Sequence, residues 1–403
     1  MERAIQTLFT QHFEAYSHSH KLSVRELDAA RSFIACRTAE LGGHIETCPE
    51  GHIKRAHYNS CKHRSCAQCN AIQIERWLQK QKSRLLQCPH HHIIFTIAHE
   101  LIPLWQFNRS AVMNLLFKAI RKTLLDFLDD PRCLGATPGI LCAFHSWGRD
   151  LCKHLHGHCL VTDGGLNSEG EWLTPKRSYF LPIKAVMLKF RGTFCGLLHQ
   201  ALDAGDIDAP TQDTIGKWHG IIKKTQRKKW NVNLRERYDH GQGVATYLAR
   251  YVRGGPVSDH QMTLSQGSIR FRYYEHRKNS NGKKQHPSYL TLKPDQFFKR
   301  YLQHIPEKRK QVVRAWGLYA TAKQSGLNQA RAHHQQNPVE PIENIEWQDF
   351  IEGITGEDFR HCPTCQRQLI SQLIVPKQQS PPPKRSFTEI VDRLLKKEPE
   401  KQC

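Results

Sequence analysis

No stretch of this 403-residue chain approaches the roughly 20 consecutive apolar residues needed to span a membrane, and the mean hydropathy is negative. A membrane protein is therefore not expected. The opening segment, MERAIQTLFTQHFEAYSHSH, lacks the apolar core and small-residue cleavage site of a secretory leader. The expectation is a cytoplasmic, nucleoid-associated protein. Acidic residues are also scarce: 37 Asp and Glu stand against 59 Lys and Arg, a formal charge of +22. That imbalance favours a polyanionic partner, most simply nucleic acid. The plainer alternative is a basic soluble enzyme.

Cysteine is plentiful, with fourteen residues, but a disulfide framework does not suit a reducing compartment. The grouping argues for metal. The segment CPEGHIKRAHYNSCKHRSCAQC contains Cys48, His52, Cys61, Cys66 and Cys69, five candidates for a four-coordinate zinc site. The expected set is Cys61, Cys66 and Cys69 with one or both of Cys48 and His52. Lys54, Arg55, Lys62 and Arg64 lie in the same segment and can touch phosphates. Cys362 and Cys365 form a lone Cys-x-x-Cys that supplies only two ligands. It reads as a degenerate knuckle or as a site that uses His361. Cys36, Cys88, Cys133, Cys142, Cys152, Cys159 and Cys195 read as small buried side chains.

Periodicity and turn residues give a mixed order of elements. Residues 1 to about 45 and 71–87 read as helical, 92–97 as a strand, 103–129 as a long helix, and 139–147 and 154–162 as strands. The turn Asp163-Gly164-Gly165 is expected to end the last of these. Helices follow at 183–203, 211–229 and 243–252, then short strands at 268–274 and 288–292, then helices at 294–304 and 307–334. QQSPPPKRS reads as a proline-rich linker. Helices mixed with mainly antiparallel strands imply an α+β fold.

Two constellations carry chemistry. In KHLHGHCLVTDGG, alternation on a strand places His154, His156 and His158 on one face, where neutral imidazoles can hold a metal ion; Mn or Zn suits imidazole, and Mg can be held with help from substrate phosphate. The alternative is an ordinary histidine-rich strand. A third protein ligand is expected, with Gln242 and Glu100 as candidates. In GVATYLARYVRGG, Tyr247 and Tyr251 are four apart on a helix and share a face, with Arg250 and Arg253 nearby. They either pack in a core or present two hydroxyls to one site. The run Lys223, Lys224, Arg227, Lys228 and Lys229 either grips a phosphate backbone or forms a solvated helix face.

Over roughly residues 40 to 330 the chain resembles the rolling-circle insertion-sequence transposases of the two-tyrosine HUH nuclease class, which carry an N-terminal zinc-binding domain. The resemblance rests on YNSCKHRSCAQC, HHIIFTIAHEL, FHSWGRDLCKHLHGHCLVTDGG, YLARYV, IRFRYYEHR and AWGLYA in that order. It implies an HUH-type nuclease domain with a central, mainly antiparallel sheet flanked by helices. His156 and His158 would be the metal-binding pair, with Mg or Mn, and Tyr247 and Tyr251 the catalytic tyrosines. Cys61, Cys66 and Cys69 would be zinc ligands. The implied substrate is single-stranded DNA at element ends, cut through a 5′-phosphotyrosine. The chain departs from the family pattern at Gly157, where a bulky apolar residue is usual and where glycine is expected to loosen the strand. It departs again before Gly51-His52, where only Cys48 stands in place of two cysteines, and after Tyr251. The expected organisation is a helical and zinc-binding domain over 1–87, a nuclease domain over 88–330 and a C-terminal region over 331–403. Three rivals are a rolling-circle replication initiator, a non-catalytic zinc DNA-binding protein and a hydrolytic metal-dependent nuclease.

Overall fold

A computed structural model describes residues 3–176, 180–210, 212–239, 243, 256–265, 267–279, 282–340 and 346–375. The expected tyrosine helix (but for Gly243) and the proline-rich linker lie outside the described residues.

The centre is an antiparallel sheet built from β3 (His90–Thr96), β4 (Thr137–Trp147), β5 (Lys153–Leu166), β7 (Asn231–Tyr238) and β11 (Val313–Gly317) in the order β11-β4-β5-β3-β7, with β6 (Trp172–Leu173) paired to the far end of β5. One face is covered by helices Arg109–Leu128 and Ile183–Asp203. The first buries Val112, Leu116, Phe117, Ile120, Leu124 and Leu128; the second buries Val186, Phe190, Phe194, Leu198 and Leu202. Steps of three and four put each set on one stripe. The stripes meet Ile93 and Phe95 of β3, Ile140, Cys142 and Phe144 of β4, and Leu155, Cys159 and Val161 of β5 in one core. The other face has a smaller core, where Leu141, Ala143 and Leu160 meet Leu78, Leu86, Tyr319 and Leu327. Burial on both faces explains why β5 shows no simple alternation of polar and apolar residues. The fold is α+β with a central antiparallel sheet flanked by helices, as expected.

A second core joins the N-terminus to the chain after residue 256. Helices Ala4–Ser19 and Val24–Ala35, the latter started by a capping box between Ser23 and Glu26, pack against helix Pro294–Leu302. Phe9 and Phe13 meet Phe298 at ring separations of 4.9 and 5.7 Å. A three-stranded sheet of β8 (Met262–Ser265), β9 (Ser268–Asn279) and β10 (Gly282–Leu292) contributes Met262, Ile269, Phe271 and Leu292 to this core. A third sheet pairs β1 (Gly43–Thr47) with β2 (Lys54–Tyr58) on one side and with β12 (Ile370–Val375) on the other.

Three expectations are corrected. The segment 307–334 is not one helix: Val313–Gly317 is a strand that pairs with β4, and only Gln324–His333 is α-helical. β-Branched Val313 and the left-handed Gly317 (φ 58°) suit an edge strand ending in a bend. Residues 1–45 are two helices followed by the start of β1. Gly164 and Gly165 do not turn the chain; they lie inside β5. A Cβ on Gly164 would come within 2.6 Å of the Trp172 indole nitrogen, and one on Gly165 within 2.5 Å of the Thr137 carbonyl oxygen. Both glycines are there for close approach.

Gly157 has the same explanation. A Cβ there would lie 2.6 Å from Cδ1 of Ile120 and 3.5 Å from Sγ of Cys142. The helix above presses its isoleucine onto the strand, so glycine admits close packing where loosening was expected. Gly157→Ala is expected to cost about 1–3 kcal/mol by overpacking. Ile120→Val removes the obstructing methyl, so the double variant is expected to be less destabilised than the sum of the two singles. Urea unfolding of the four proteins checks this; strict additivity would reject the close-packing account.

Candidate functional site

The histidines of β5 are joined by one that local sequence did not single out. His145 of β4 sits directly opposite His156 in the β4–β5 register, while His158 lies between Ala143 and Ile94. The side-chain nitrogens of His145, His156 and His158 can all lie within 4.8 Å of one another. His154, the third histidine of the strand, is not part of this group; its ring lies 5.8 Å from that of His99. His145 could have been found only through strand pairing, because Phe144-His145-Ser146 has no spacing that marks a ligand.

The surrounding contacts fix the rings. Nδ1–H of His156 can donate to the His154 carbonyl oxygen at 2.8 Å, which leaves Nε2 with its lone pair. Nδ1 of His158 is 2.8 Å from Nε2 of His92 on β3. With the proton on Nδ1 of His158, its Nε2 is likewise a donor to metal. Such a bond on the second ring nitrogen is the usual support of a ligating imidazole. All three rings are buried, with exposures of 2, 8 and 5 %. Burial pushes His156 down to about 3 and holds His145 and His158 well below the usual imidazole range, with neighbouring histidines adding to the effect. His92 falls to about 4, again chiefly through burial and then through the charge of Arg235. Neutral imidazoles are the form that binds metal, so the donor set fits a divalent ion. Arg235, exposed on β7, also acts on His158, where its charge adds a small push downward. Nothing in its local sequence marks it.

Of the suggested third ligands, Glu100 instead forms an ion pair with Lys228, and Gln242 lies outside the described residues. So do Tyr247, Tyr251, Arg250 and Arg253. The basic run follows from helix Ile215–Gln226: Trp218, Ile222 and Thr225 face inward, and Lys223, Lys224, Arg227, Lys228 and Lys229 are all exposed.

The five zinc candidates do not converge on one point. Cys61, Cys66 and Cys69 group with Cys36. The Sγ of Cys69 is 3.1 Å from that of Cys36 and 3.5 Å from that of Cys61. Four thiolates around zinc at about 2.3 Å from the metal lie roughly 3.8 Å apart, so the cluster needs little adjustment to close on an ion. Hydrogen bonds from Cys36, Cys61 and Cys66 hold the Cys69 thiol far below its ordinary range. Cys36, read from sequence as a buried filler, sits at the end of helix Val24–Ala35 with its thiol in this cluster. Cys48 and His52 group instead with Cys362 and Cys365.

A thiol tetrad, buried but for half-buried Cys61, on so basic a chain fits the class of zinc-binding proteins that meet nucleic acid. Comparison with known proteins makes this specific. Residues 139–326 match the family described as putative transposase, and residues 8–97 match the transposase zinc-binding domain. The chain is 29 % identical over 387 residues to "Putative transposase y4qJ" of Sinorhizobium fredii, covering 93 % of this chain and 96 % of that protein. It is 28 % identical over 304 residues to "Transposase for insertion sequence element IS801" of Pseudomonas savastanoi pv. phaseolicola, covering 73 % and 70 %. No solved structure matches. The chain belongs to the insertion-sequence transposases that carry an N-terminal zinc-binding domain. It is a DNA-binding protein of transposition, and the thiol tetrad together with the matched domain supports zinc in the N-terminal module. Among the described residues, no helix is long and apolar enough to cross a membrane.

Proposed function

We propose that this transposase nicks and rejoins single-stranded DNA at its element's ends through a 5′-phosphotyrosine, in rolling-circle transposition. The observation that carries the reading is the buried trio His145, His156 and His158 on adjacent strands of an antiparallel sheet. His156 and His158 would hold a divalent ion, with His145 as third ligand. A donor set of three imidazoles suits Mn better than Mg, which prefers oxygen. The ion, when bound, offsets charge that builds on the scissile phosphate.

The phenolic oxygen of Tyr247 or Tyr251 attacks the phosphorus, its proton passing to solvent. The bond to the 3′-oxygen breaks, and that oxygen takes a proton from solvent and leaves as a free hydroxyl. A tyrosine with its usual pKa near 10 attacks poorly, so arginine beside the phosphate matters: Arg250, Arg253 and Arg235 take that role. The second tyrosine cuts another strand while the first remains joined, and attack by a 3′-hydroxyl on the phosphotyrosine reseals the DNA. Lys223, Lys224, Arg227, Lys228 and Lys229 hold the backbone through contacts that weaken as salt rises. The division of labour is zinc and helices over 1–87, chemistry over 88–330, and a C-terminal region over 331–403.

The test is incubation of the protein with labelled single-stranded DNA of the element's ends, with Mn or Mg, on a denaturing gel. A covalent protein–DNA adduct is expected, and Tyr247→Phe plus Tyr251→Phe is expected to abolish it while leaving DNA binding. An adduct that survives in the double variant rejects the tyrosine assignment. Cleavage without any adduct indicates a hydrolytic nuclease, and binding without cleavage a zinc DNA-binding protein; either rejects the proposal.

A further inference from the structure

We propose that Cys48, His52, Cys362 and Cys365 form a second zinc site, which fastens the C-terminal part of the chain to the N-terminal hairpin. Neither half is a site alone, since each supplies two ligands and structural zinc takes four. The fold brings the halves together. The Sγ of Cys48 is 3.4 Å from that of Cys365 and 3.7 Å from Nδ1 of His52, and the four donor atoms can all lie within 4.8 Å of one another. These separations are far beyond the roughly 2.05 Å of a disulfide and close to those around a tetrahedral ion.

The backbone on both sides is shaped to present ligands. Each half begins Cys-Pro and closes a tight turn. In the first, the amide of Cys48 donates to Ile53 O and that of Gly51 to Cys48 O, with Gly51 left-handed at φ 76°. In the second, the amide of Cys362 donates to Arg367 O and that of Gln366 to Cys362 O, both at 2.8 Å. Gln366 is left-handed at φ 59°, a conformation a non-glycine residue adopts only when its surroundings hold it there. Strand pairing sets the two turns against each other: β12 runs antiparallel to β1, and Thr47, the residue before Cys48, pairs with Ile370. An ion pair between Arg367 and Glu50 links the turns directly. His361 is not in this group of donors; its Nδ1 pairs with Asp358.

Three thiolates and one imidazole make a closed, structural donor set. The site caps the end of the β12-β1-β2 sheet, and the C-terminal Cys-x-x-Cys thereby completes the module that starts the chain. This inference does not rest on the nuclease reading.

Zinc content of the full-length protein, measured by mass spectrometry, tests it. Cys362→Ser plus Cys365→Ser is expected to lose one zinc per chain, and Cys48→Ser to lose the same one, so that combining all three removes no more. Cys36→Ser is expected to lose a different zinc. Unchanged zinc in the Cys362/Cys365 variant, or additive losses on combining it with Cys48→Ser, overturns the proposal. His52→Cys should fold and keep its zinc. After cobalt substitution it should show an added thiolate in the charge-transfer and d–d bands, and a spectrum identical to that of the parent protein overturns the assignment of His52.

Discussion

His156→Ala and His158→Ala are each expected to lower metal-dependent nicking of single-stranded DNA by about a thousandfold while leaving DNA binding close to that of the parent. Metal polarisation of a phosphate contributes several kcal/mol to the transition state, and about 4 kcal/mol corresponds to three powers of ten in rate. Both rings are nearly enclosed and share one cluster, so a single alanine leaves two ligands. His145→Ala belongs to the same set and should fail similarly at low Mn, but part of its rate should return as Mn is raised. His92 contacts the ring of His158 rather than the ion. Removing such support typically costs 10–100-fold, and His92→Ala should move the Mn concentration for half-maximal rate more than the maximal rate. Nicking by His145→Ala that tracks the parent at every Mn concentration would remove His145 from the ligand set. Nicking by His156→Ala at the parental rate would sink the whole site.

That experiment separates what the chain's local pattern reveals from what only pairing reveals. His156 and His158 are legible because alternation on a strand is a local property, and β5 forms where it was expected. His145 is invisible locally, since its neighbour across the sheet is eleven residues away around a bend whose register shifts between His145 and Trp147. The same limit explains the glycines. A glycine pair after a strand usually marks a turn; here Trp172 and Thr137 approach too closely for side chains, and no sequence pattern announces a partner's approach. Helical periodicity was readable at Arg109–Leu128 because one stripe meets one core. It misled over 313–317, where the open edge of β4 recruits a short strand against its neighbours' helical tendency.

The thiols give the second large prediction. Cys36→Ser is expected to lose one zinc per chain and to lower the stability of the N-terminal unit by several kcal/mol, a fall in melting temperature on the order of 10 °C. Structural zinc contributes about 10–16 kcal/mol of apparent binding energy in small zinc modules, and three remaining thiolates bind far more weakly than four. The loss reaches beyond the cluster because Cys36, Cys66 and Cys69 share a core with Phe9, Phe33 and Tyr301. That core also fixes helix Pro294–Leu302. Sequence proximity favoured Cys48 and His52 as partners of Cys61, Cys66 and Cys69. The reason that pairing fails is that β1 and β2 form a hairpin, which carries the Cys48 turn toward β12 and away from the knuckle. Cys133→Ser, at a half-buried cysteine outside both clusters, is the control and should keep full zinc. If Cys36→Ser matches it in zinc content and melting temperature, Cys36 is the buried filler it resembles in the sequence, and the knuckle must find its fourth ligand elsewhere.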